Sequence, residues 1–547
     1  MEYDVVVVGS GAGGSAAAWR LSKLGLKVAC FERGDWQDPA SYPSTSMDWE
    51  LKKRRQYSYN PAVRKGRSDY AIDTAESDID IANFNGVGGA TVLFSGHFPR
   101  FHPSDFCIQT LDGVGADWPI QYAELEPYFE ANNAMMRVSG LAGDPAYPEM
   151  KGFLPPIPIG EYGEAIAKGF NRLGWHWWPS YAAISTGVKS ESPCLNLGPC
   201  NTGCPQGAKS STDVTYLPDA ITHGLEVFTR SVVVKVEVGS PTEELEKQKA
   251  SAKGIWVVDE SGEKRFVAAK TVVLACNAIG TARLLLASKT ENYLDGLANS
   301  SGLVGKNLML HPLGYAEGLF EKATDVDKGP QGCCIYSHEY YETDEQRGFK
   351  RGYTLHVLRG GGLVETTLAG LDRREVSWGD SLVKDVLALH RRRGSIAVIC
   401  EDLPDVRNQV VLDNDRLDKD GLPVTVVKYR LGENSKAMMA HGLTQAKRVL
   451  KASGLKKVMA FGPVREAGWH ILGTAKMGAD PATSVVDKGG ETHDVNGLFI
   501  ADGSVFASSG GVNPAATIQA VALFIADQLF ERYFGILTSE NAINRYS

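Results

Sequence analysis

The feature that most constrains the fold of this 547-residue chain is the order of patterns in its first 32 residues. A β-branched run at 5–8 leads directly into the glycine-rich segment 9–14, and a helical pattern follows. A second apolar run at 28–31 then ends in Glu32. Strand, glycine turn, helix, strand and acidic residue form, in this order, the fingerprint of a dinucleotide-binding βαβ unit. The sequence therefore predicts an α/β fold with a Rossmann-type domain at the N-terminus.

The glycines of this turn have separate purposes in such a unit. Gly9 allows the tight turn, Gly11 lets a pyrophosphate approach the backbone, and Gly14 lets the helix pack close to the strand. The helix N-terminus supplies amide donors and the positive end of its dipole to the phosphates. Glu32 can accept hydrogen bonds from both hydroxyl groups of an adenosine ribose. A glycine pattern alone is weak evidence, and its complete context is what supports a bound dinucleotide.

Composition and charge exclude several classes of protein. A net charge of −8 without a long basic run argues against nucleic-acid binding. A hydrophobic content of 43% is enough for two cores that share a cleft. Apolar runs are too short to span a membrane, so we expect no direct membrane insertion. The chain enters its first strand without a secretory or twin-arginine signal, and its own sequence therefore indicates a cytoplasmic protein.

The C-terminal part of the chain carries a second set of cofactor-like patterns. An apolar run at 498–501 ends in Asp502, and a helical pattern extends from Pro514 to about residue 530. One fold would then bring both ends of a long chain to a single cofactor. NAD-dependent Rossmann enzymes usually complete their nucleotide site within one contiguous domain, so this arrangement favours a different class of dinucleotide protein.

Over nearly its full length the chain resembles the glucose–methanol–choline (GMC) family of flavoprotein oxidoreductases. Beside the opening fingerprint, the matching motifs are NGVGGAT (85–91), VVLACNAI (272–279), VGKNLMLH (304–311), WHILGT (469–474) and GVNP (511–514). The sequence departs from the family pattern at Ala90 and Asn277, and it lacks a Ser-Gly-x-Gly segment after Leu286. These departures concern individual cofactor contacts and not the family.

The resemblance implies FAD as cofactor and an FAD-binding Rossmann-type domain interleaved with an α+β substrate domain built on an antiparallel sheet. The FAD-binding segments would be 1–35, 80–110, 190–315 and 465–547, and the substrate-binding segments would be 36–79, 111–189 and 316–464. We expect strands at 395–400, 409–412 and 424–429 to form one sheet over the flavin, with a helix over 435–450. The Glu/Lys-rich segment 241–253 is expected to be a surface hairpin.

The resemblance also implies where FAD would be held. We expect its pyrophosphate on the glycine turn, its ribose on Glu32, its adenine at the backbone near Val233 and its flavin end near Asp502. The expected cofactor-binding residues are Gly9, Ser10, Gly11, Ala12, Gly14, Glu32, Arg33, Gly88, Gly89, Thr91, Val233, Asp502, Gly503, Asn513, Pro514 and Thr517.

Three of the nine cysteines form a second strong motif. Cys194, Cys200 and Cys204 are separated by Gly- and Pro-containing segments, and Pro205 follows directly. Such spacing is typical of iron–sulfur ligands, and three thiolates favour a 3Fe–4S cluster over a four-cysteine cluster. Zinc would require a fourth ligand, which does not stand nearby in the sequence, and a disulfide would leave one thiol over. A structural cysteine-rich loop without a cluster is the alternative.

Within the family, the large subunits of bacterial membrane-linked gluconate, glucose and glucoside 3-dehydrogenases are similar at this motif. They carry such a cysteine run followed by Gly-Ala-Lys-x-Ser, which stands here at 207–211. In those enzymes the cluster passes electrons from the flavin to a cytochrome. The resemblance implies a small subunit and an electron-accepting cytochrome as partners. It also implies a periplasmic location if a partner that bears a signal carries the folded chain out.

The catalytic residues follow from the chemistry of alcohol oxidation by a flavin. A base must take the hydroxyl proton as hydride leaves carbon, and histidine suits this because it titrates near neutral pH. Among eleven histidines, His470 stands in the motif that matches the family's catalytic histidine. Asn513 stands where members carry His or Asn, and an amide can orient the substrate oxygen but cannot accept its proton. We expect structural roles for the remaining candidates, which are His97, His102, His311 and His493.

Two functions remain open at this point. The first is an FAD-dependent dehydrogenase of a sugar, glycoside or related polyol that passes electrons through a 3Fe–4S cluster to a partner. The alternative is an FAD-dependent oxidase that passes electrons to dioxygen and uses the cysteine loop only structurally. The substrate-domain segment 325–367 carries no motif that identifies the substrate.

Overall fold

The computed structural model describes residues 2–187, 192–239 and 249–543. Its strands are β1 (Glu2–Val8), β2 (Val28–Phe31), β3 (Ile72–Asp73), β4 (Trp178–Pro179), β5 (Glu226–Phe228), β6 (Val232–Gly239), β7 (Ala250–Val258), β8 (Lys264–Leu274), β9 (Leu313–Leu319), β10 (Gly332–Ser337), β11 (Tyr353–Arg359), β12 (Arg393–Cys400), β13 (Gln409–Leu417), β14 (Pro423–Lys428), β15 (Lys456–Phe461), β16 (Val495–Asn496) and β17 (Leu498–Ile500). Its helices are α1 (Ala12–Lys23), α2 (Trp49–Lys53), α3 (Pro61–Arg64), α4 (Ile108–Asp112), α5 (Tyr122–Met135), α6 (Gly160–Leu173), α7 (Tyr216–Thr222), α8 (Asn277–Ala287), α9 (Leu363–Asp372), α10 (Leu382–Leu389), α11 (Glu433–Ala452) and α12 (Ala515–Tyr533).

The first sheet contains the N-terminal fingerprint. Its central strand β1 pairs in parallel with β2 on one side and with β8 on the other, and β5 extends the sheet beyond β2. The residues at 5–8 are buried, as expected for a parallel strand that is covered on both faces. β7 pairs antiparallel with both β8 and β6, so the sheet is mixed at that edge.

The two ends of the chain meet at this sheet. β17 pairs in parallel with β8, which places Ile500 opposite Leu274. The helices that follow β1 and β17 also contact each other, through an ion pair of 2.5 Å between Arg20 and Asp527. Both side chains are almost completely buried, and removal of one partner would leave an uncompensated charge in the core. The C-terminal segment is therefore part of the N-terminal domain.

The second sheet is antiparallel and has the strand order β15-β9-β12-β11-β10-β4. Helix α11 packs on β9 and β12, and residues of this sheet form a separate hydrophobic core with α6. The predicted combination of a Rossmann-type sheet with a substrate domain built on an antiparallel sheet is confirmed. Strands of the two sheets alternate along the chain, while the exact domain boundaries stay a prediction.

The expectation that residues 395–400, 409–412 and 424–429 form one sheet is wrong. β12 belongs to the six-stranded sheet, whereas β13 and β14 form a hairpin whose second strand pairs with β3. The chain leaves the six-stranded sheet after Cys400, next to Glu401, which pairs with the buried Arg351 at 3.0 Å. Pro404, which has no amide hydrogen, also cannot continue a sheet ladder.

Two further expectations concern the segment 241–253 and membrane-spanning helices. Much of the predicted hairpin at 241–253 lies outside the described residues, and the strands on either side of it, β6 and β7, are antiparallel neighbours. Across the three described ranges, the helices are too short or too polar to cross a membrane.

Gly13 provides a test of the packing of α1. A Cβ atom at this position would overlap the carbonyl oxygen of Ala501 at the end of β17. Alanine normally stabilises a helix relative to glycine, but here we expect Gly13→Ala to destabilise the fold by about 1–3 kcal/mol through overpacking. Denaturant unfolding of the purified protein measures this change.

Gly432→Ala is the matched control. No described atom outside the immediate neighbours lies within 4 Å of the position of its added Cβ, so the variant tests only the loss of a glycine N-cap at the start of α11, which costs about 1 kcal/mol or less. Its unfolding midpoint should be close to that of the wild type, and equal stability of both variants would contradict the tight contact at Gly13.

Candidate active site

A cavity of about 200 Å³ opens at the carboxyl ends of β1 and β8, beside the glycine turn. Glu32 and Val233 line one part of it, and His470 and Pro514 line another. This is the edge of a parallel sheet at which dinucleotide-binding folds hold their ligands. An adjoining cavity of about 230 Å³ shares His470 and Pro514 with the first and extends to the six-stranded sheet. We call the first the dinucleotide cavity and the second the substrate cavity.

The floor of the dinucleotide cavity consists of two glycine loops in close contact. Gly9 has a φ of +97°, a conformation that side chains other than glycine rarely adopt. A Cβ atom on Gly89 would lie 2.7 Å from the Cα atom of Gly11. The backbone of both loops is therefore open to a ligand that approaches closely.

Most of the predicted cofactor-binding residues lie at these cavities. Those that line the dinucleotide cavity are Gly9, Gly11, Ala12, Glu32, Arg33, Gly89, Val233, Asp502, Gly503 and Pro514. Thr91 and Asn513 line the substrate cavity.

The other four predicted residues lie behind the cavity walls. Ser10 donates to Glu32, and a Cβ atom on Gly14 would overlap the carbonyl oxygen of Gly9. The carbonyl of Gly88 accepts a hydrogen bond from the Thr91 hydroxyl, and the Thr517 hydroxyl accepts one from the amide of Phe101. These residues shape the walls by supporting their neighbours.

Glu32 is more constrained than the sequence indicates. Its Oε2 atom accepts from the amide and the hydroxyl of Ser10 at 3.0 and 2.8 Å, and its Oε1 atom accepts from the amide of Gly34 at 2.9 Å. A carboxylate offers about four acceptor positions, so capacity is left for a ribose hydroxyl. The role of Glu32 in ribose binding stays a prediction.

A cluster that sequence reasoning missed lies in the wall of the dinucleotide cavity. The ring of Tyr70 lies between two guanidinium groups, 4.6 Å from that of Arg33 and 4.4 Å from that of Arg283. Asp420 pairs with Arg33 and Asp418 pairs with Arg283, both from the turn between β13 and β14. Arg33, Tyr70, Arg283 and the turn with the two aspartates are four separate segments, so no sequence motif could have grouped them.

Three polar atoms of this cluster have unused hydrogen-bonding capacity toward the dinucleotide cavity. The Tyr70 hydroxyl and the Nε atoms of Arg33 and Arg283 are buried and lack a hydrogen-bond partner among the residues that the structure describes. Unpaired buried donors are rare in folded proteins because each costs desolvation energy. All three residues line the dinucleotide cavity, where a ligand with phosphate groups would satisfy them.

The predicted catalytic pair is brought together. The Nε2 atom of His470 lies 3.1 Å from the Nδ2 atom of Asn513, across the 43 residues that separate them in the sequence. His311, for which the sequence predicts a structural role, also contacts His470, with 2.9 Å between the two Nδ1 atoms. The other ring nitrogen of His311 lies 2.9 Å from the carbonyl oxygen of Ser509.

These contacts fix the position of every ring proton in the group. Ser509 offers a carbonyl oxygen, so the Nε2 atom of His311 must donate and its Nδ1 atom must accept. His470 consequently donates from Nδ1, and its Nε2 atom carries a lone pair. Asn513 donates its amide hydrogen to that lone pair. The arrangement presents an unprotonated nitrogen at the wall that both cavities share.

Burial keeps this group uncharged. Loss of solvation holds the pKa of His470 well below its usual 6.5, and the neighbouring His311 and His97 lower it further. Burial also lowers the pKa of His311 to about 4, against the opposing effect of the Ser509 carbonyl. Both imidazoles are therefore neutral at physiological pH, the form in which a histidine can accept a proton.

The three predicted cluster ligands lie in one loop beside the substrate cavity. Amides of Asn196 and Lys209 donate to the sulfurs of Cys194 and Cys204, each at 3.5 Å. Asn201, next to Cys200, lines the substrate cavity. The structure therefore places the cysteine loop against the space that His470 faces.

Lys209 anchors this loop to the second glycine loop. Its buried ammonium donates to the carbonyls of Thr91, Val92 and Phe94 at 3.3, 2.6 and 2.9 Å. Burial lowers the pKa of Lys209 to about 8, while Cys200 and Cys204 act in the opposite direction. Burial nevertheless raises the pKa of the Cys200 thiol to about 12, although Lys209 lowers it, so a bound metal would be needed to hold this sulfur as a thiolate.

The remaining histidines of the sequence analysis lie apart from one another. His493 contacts the Ser484 hydroxyl at 2.8 Å, and His102 stacks on Tyr341 with 3.9 Å between ring centroids. His97 lines the substrate cavity.

Two sequence profiles described as GMC oxidoreductase match residues 157–313 and 404–522, and a profile described as an NAD(P)-binding Rossmann-like domain matches residues 7–36. The 2-methyl-1,2-propanediol dehydrogenase of Mycolicibacterium austroafricanum is 36% identical over 98% of this chain and 96% of its own length. The fructose dehydrogenase large subunit of Gluconobacter japonicus is 28% identical over 97% of this chain and 98% of its own length.

A solved structure gives the same fold. Formate oxidase superposes with a TM-score of 0.66 at 14% identity, over 97% of this chain and 98% of that protein. At this level of identity the likeness concerns the fold alone.

Glu32 provides a test of the dinucleotide cavity. Glu32→Ala removes the acceptor that the sequence predicts for the FAD ribose, and hydrogen bonds to a charged group contribute about 1.5–3 kcal/mol each. We expect FAD to dissociate at least about tenfold more readily, as measured by the flavin content after extensive dialysis. Glu291→Ala, at an exposed position, is the control. Full FAD content in the Glu32 variant would exclude the ribose role.

Proposed function

The chain belongs to the GMC oxidoreductase family, and from this premise we propose that it is an FAD-dependent dehydrogenase of a small diol, polyol or sugar. The observation that carries the proposal is the chain of contacts from the Ser509 carbonyl through His311 to His470, which leaves a basic Nε2 at the cavity wall. Relatives named for a propanediol and for fructose support a hydroxylated substrate.

The residues of the dinucleotide cavity fit FAD. The glycine loops leave backbone open to a pyrophosphate, and the unpaired donors of Arg33, Tyr70 and Arg283 suit its polar groups. Glu32 and Val233 would hold the adenosine end, and Asp502 and Pro514 would lie toward the flavin end. When bound, FAD supplies the acceptor for the hydride that leaves the substrate carbon.

His470 and Asn513 would act on the substrate hydroxyl. Before substrate binds, the Asn513 amide donates to the lone pair of the His470 Nε2 atom. A substrate hydroxyl would displace it: Nε2 would then accept the hydroxyl proton, and the Asn513 amide would donate to the oxygen from which that proton leaves. The apolar side chains of Leu313, Leu358 and Ile399 line the same cavity and limit the access of water. A dry site strengthens both hydrogen bonds.

His311 would position the base. It accepts the Nδ1 hydrogen of His470, so the Nε2 atom of His470 faces the substrate without a proton before the reaction. After proton transfer, the same hydrogen bond to His311 stabilises the imidazolium form of His470. The Ser509 carbonyl holds His311 in the required tautomer.

For the electron path, we propose a 3Fe–4S cluster on Cys194, Cys200 and Cys204. The amide-to-sulfur hydrogen bonds and the buried Lys209 suit anionic sulfur ligands, and such hydrogen bonds are typical of iron–sulfur sites. The cluster would supply a one-electron carrier. A one-electron carrier calls for a small subunit and a cytochrome as partners, and the location would then be periplasmic through co-export.

Kinetics of flavin reduction test the roles at the catalytic site. We expect His470→Ala to slow reduction by substrate about 10²- to 10⁴-fold, because a positioned base is lost. Asn513→Ala should cost less, about 1–3 kcal/mol, because one hydrogen bond is lost. His311→Gln keeps an acceptor for His470 and should be faster than His311→Leu.

In the wild type, the rate of flavin reduction should stay constant down to about pH 6.5 and fall only in more acidic solution, where His470 becomes protonated.

Stopped-flow absorbance of the flavin under anaerobic conditions measures these rates, and the FAD content of each variant is the control. A larger loss in Asn513→Ala than in His470→Ala would reverse the assigned roles. Equal rates in His311→Gln and His311→Leu would exclude the positioning role of His311.

Cys200→Ser tests the cluster separately. Flavin reduction by substrate should be unchanged, whereas electron transfer to a cytochrome should be lost together with bound iron. Cys107→Ser, whose thiol lies away from the loop, is the matched control. An iron content in Cys200→Ser equal to that of the wild type would exclude the proposed cluster. Rapid reoxidation of the reduced flavin by dioxygen, without another acceptor, would favour the oxidase alternative.

A further inference from the structure

Three side chains outside the proposed catalytic set face one another in the wall of the substrate cavity. One ligand atom each of His97, Cys333 and His356 lies within 4.8 Å of the other two. All three residues line the substrate cavity that His470 also lines. They belong to separate segments, because His97 bridges to Ala182 whereas the other two lie on β10 and β11.

The sheet register brings Cys333 and His356 to one face. Cys333 lies opposite Leu358 in the antiparallel pair of β10 and β11, and His356 precedes Leu358 by two residues. Residues two apart on a strand point to the same side, so His356 and Leu358 share a face with their cross-strand neighbour Cys333. Leu358 lines the same cavity.

A hydrogen bond to Ser180 sets the tautomer of His97. The Ser180 hydroxyl donates to the carbonyl of Tyr181 and lies 2.6 Å from the Nδ1 atom of His97. It therefore accepts from that nitrogen, which leaves a lone pair on the Nε2 atom of His97. Within the described ranges, the Nε2 atoms of His97 and His356 are buried and have no hydrogen-bond partner.

A ligand that binds both Nε2 atoms would remove the cost of leaving them unpaired. An unsatisfied buried nitrogen costs about 1–3 kcal/mol, and here two lie in rings whose centroids are 4.5 Å apart. Both Nε2 atoms are shielded from solvent. A single ion could contact one ligand atom of each of His97, Cys333 and His356, since these atoms lie within 4.8 Å of one another.

We propose that His97, Cys333 and His356 form a binding site for Zn²⁺ in the wall of the substrate cavity. Two imidazole nitrogens and one thiolate are a ligand set that zinc favours, and the hydrogen bond from His97 to Ser180 orients the first of these ligands. Zinc bonds of about 2.0–2.3 Å require the three ligand atoms to move together by about 1 Å. The fourth position is left to water on the cavity side.

The two histidines are neutral, as zinc ligation requires, whereas the Cys333 thiol must lose its proton on binding. Burial lowers the pKa of His97 to about 3 and that of His356 well below 6.5, so both rings are neutral. Burial raises the pKa of the Cys333 thiol well above 9.0. On binding, the S–H bond of Cys333 breaks, a zinc–sulfur bond forms and the proton passes to the buffer. A bound ion beside the catalytic cavity should inhibit competitively with substrate.

Zinc binding to the FAD-loaded protein, without substrate, tests the site. The Cys200→Ser background removes the other cysteine site, and equilibrium dialysis followed by metal analysis should there find one Zn²⁺ per chain. We expect His356→Gln and Cys333→Ser to weaken this binding by more than about 100-fold, and Ser180→Ala to weaken it by about 10- to 100-fold. Cys334→Ser, at the adjacent buried thiol, should bind zinc like its parent.

Zinc-edge X-ray absorption on the same background identifies the ligands without a further variant. Two nitrogen ligands and one sulfur ligand are expected. A first shell without sulfur, the absence of retained zinc, or undiminished binding in both His356→Gln and Cys333→Ser would overturn the site. Because no substrate is present, each of these results would leave the proposed alcohol oxidation unaffected.

Discussion

The close contact of helix α1 with the carboxyl ends of β8 and β17 is the constraint on which the rest of the site depends. Gly9 packs on the carbonyl of Ala275, and Gly13 packs on that of Ala501. The two strands are more than 200 residues apart in the sequence, and the glycine turn holds both at one edge of the sheet. This contact brings Asp502 and the start of α12 to the dinucleotide cavity. Side chains at the two glycines would separate the layers and open the site.

The positions of the ring protons on His311 and His470 follow from a single backbone carbonyl. Ser509 determines the tautomer of His311, and His311 determines that of His470. His311 has a φ of +49°, a strained conformation for a residue with a side chain. Such strain costs of the order of 1–3 kcal/mol and persists where the surroundings require it, as at functional sites. Because the two imidazoles are buried and neutral, hydrogen bonds and not charges determine their orientation and tautomers.

The cysteine loop and the substrate cavity are joined by a buried cation. Lys209 ties the loop to the carbonyls that follow the second glycine loop, and those residues line the same space as His470. A proposed cluster and a proposed zinc site would lie on different walls of this space. The first would use the loop that contributes Asn201 to the cavity, and the second would use the face of the six-stranded sheet.

The sequence by itself determined the parts of this protein that depend on neighbouring residues. The βαβ unit follows from its alternation of strand, glycine turn and helix, and the pairing of His470 with Asn513 was expected from motifs that the structure brings within 3.1 Å. Only the tertiary structure decided the contacts between distant segments. It showed that His311 touches His470, that β13 and β14 leave the sheet of β12, and that Arg33, Tyr70 and Arg283 form one cluster. The physical reason is that periodicity and glycine conformation act over a few residues, whereas these contacts depend on how separate layers pack.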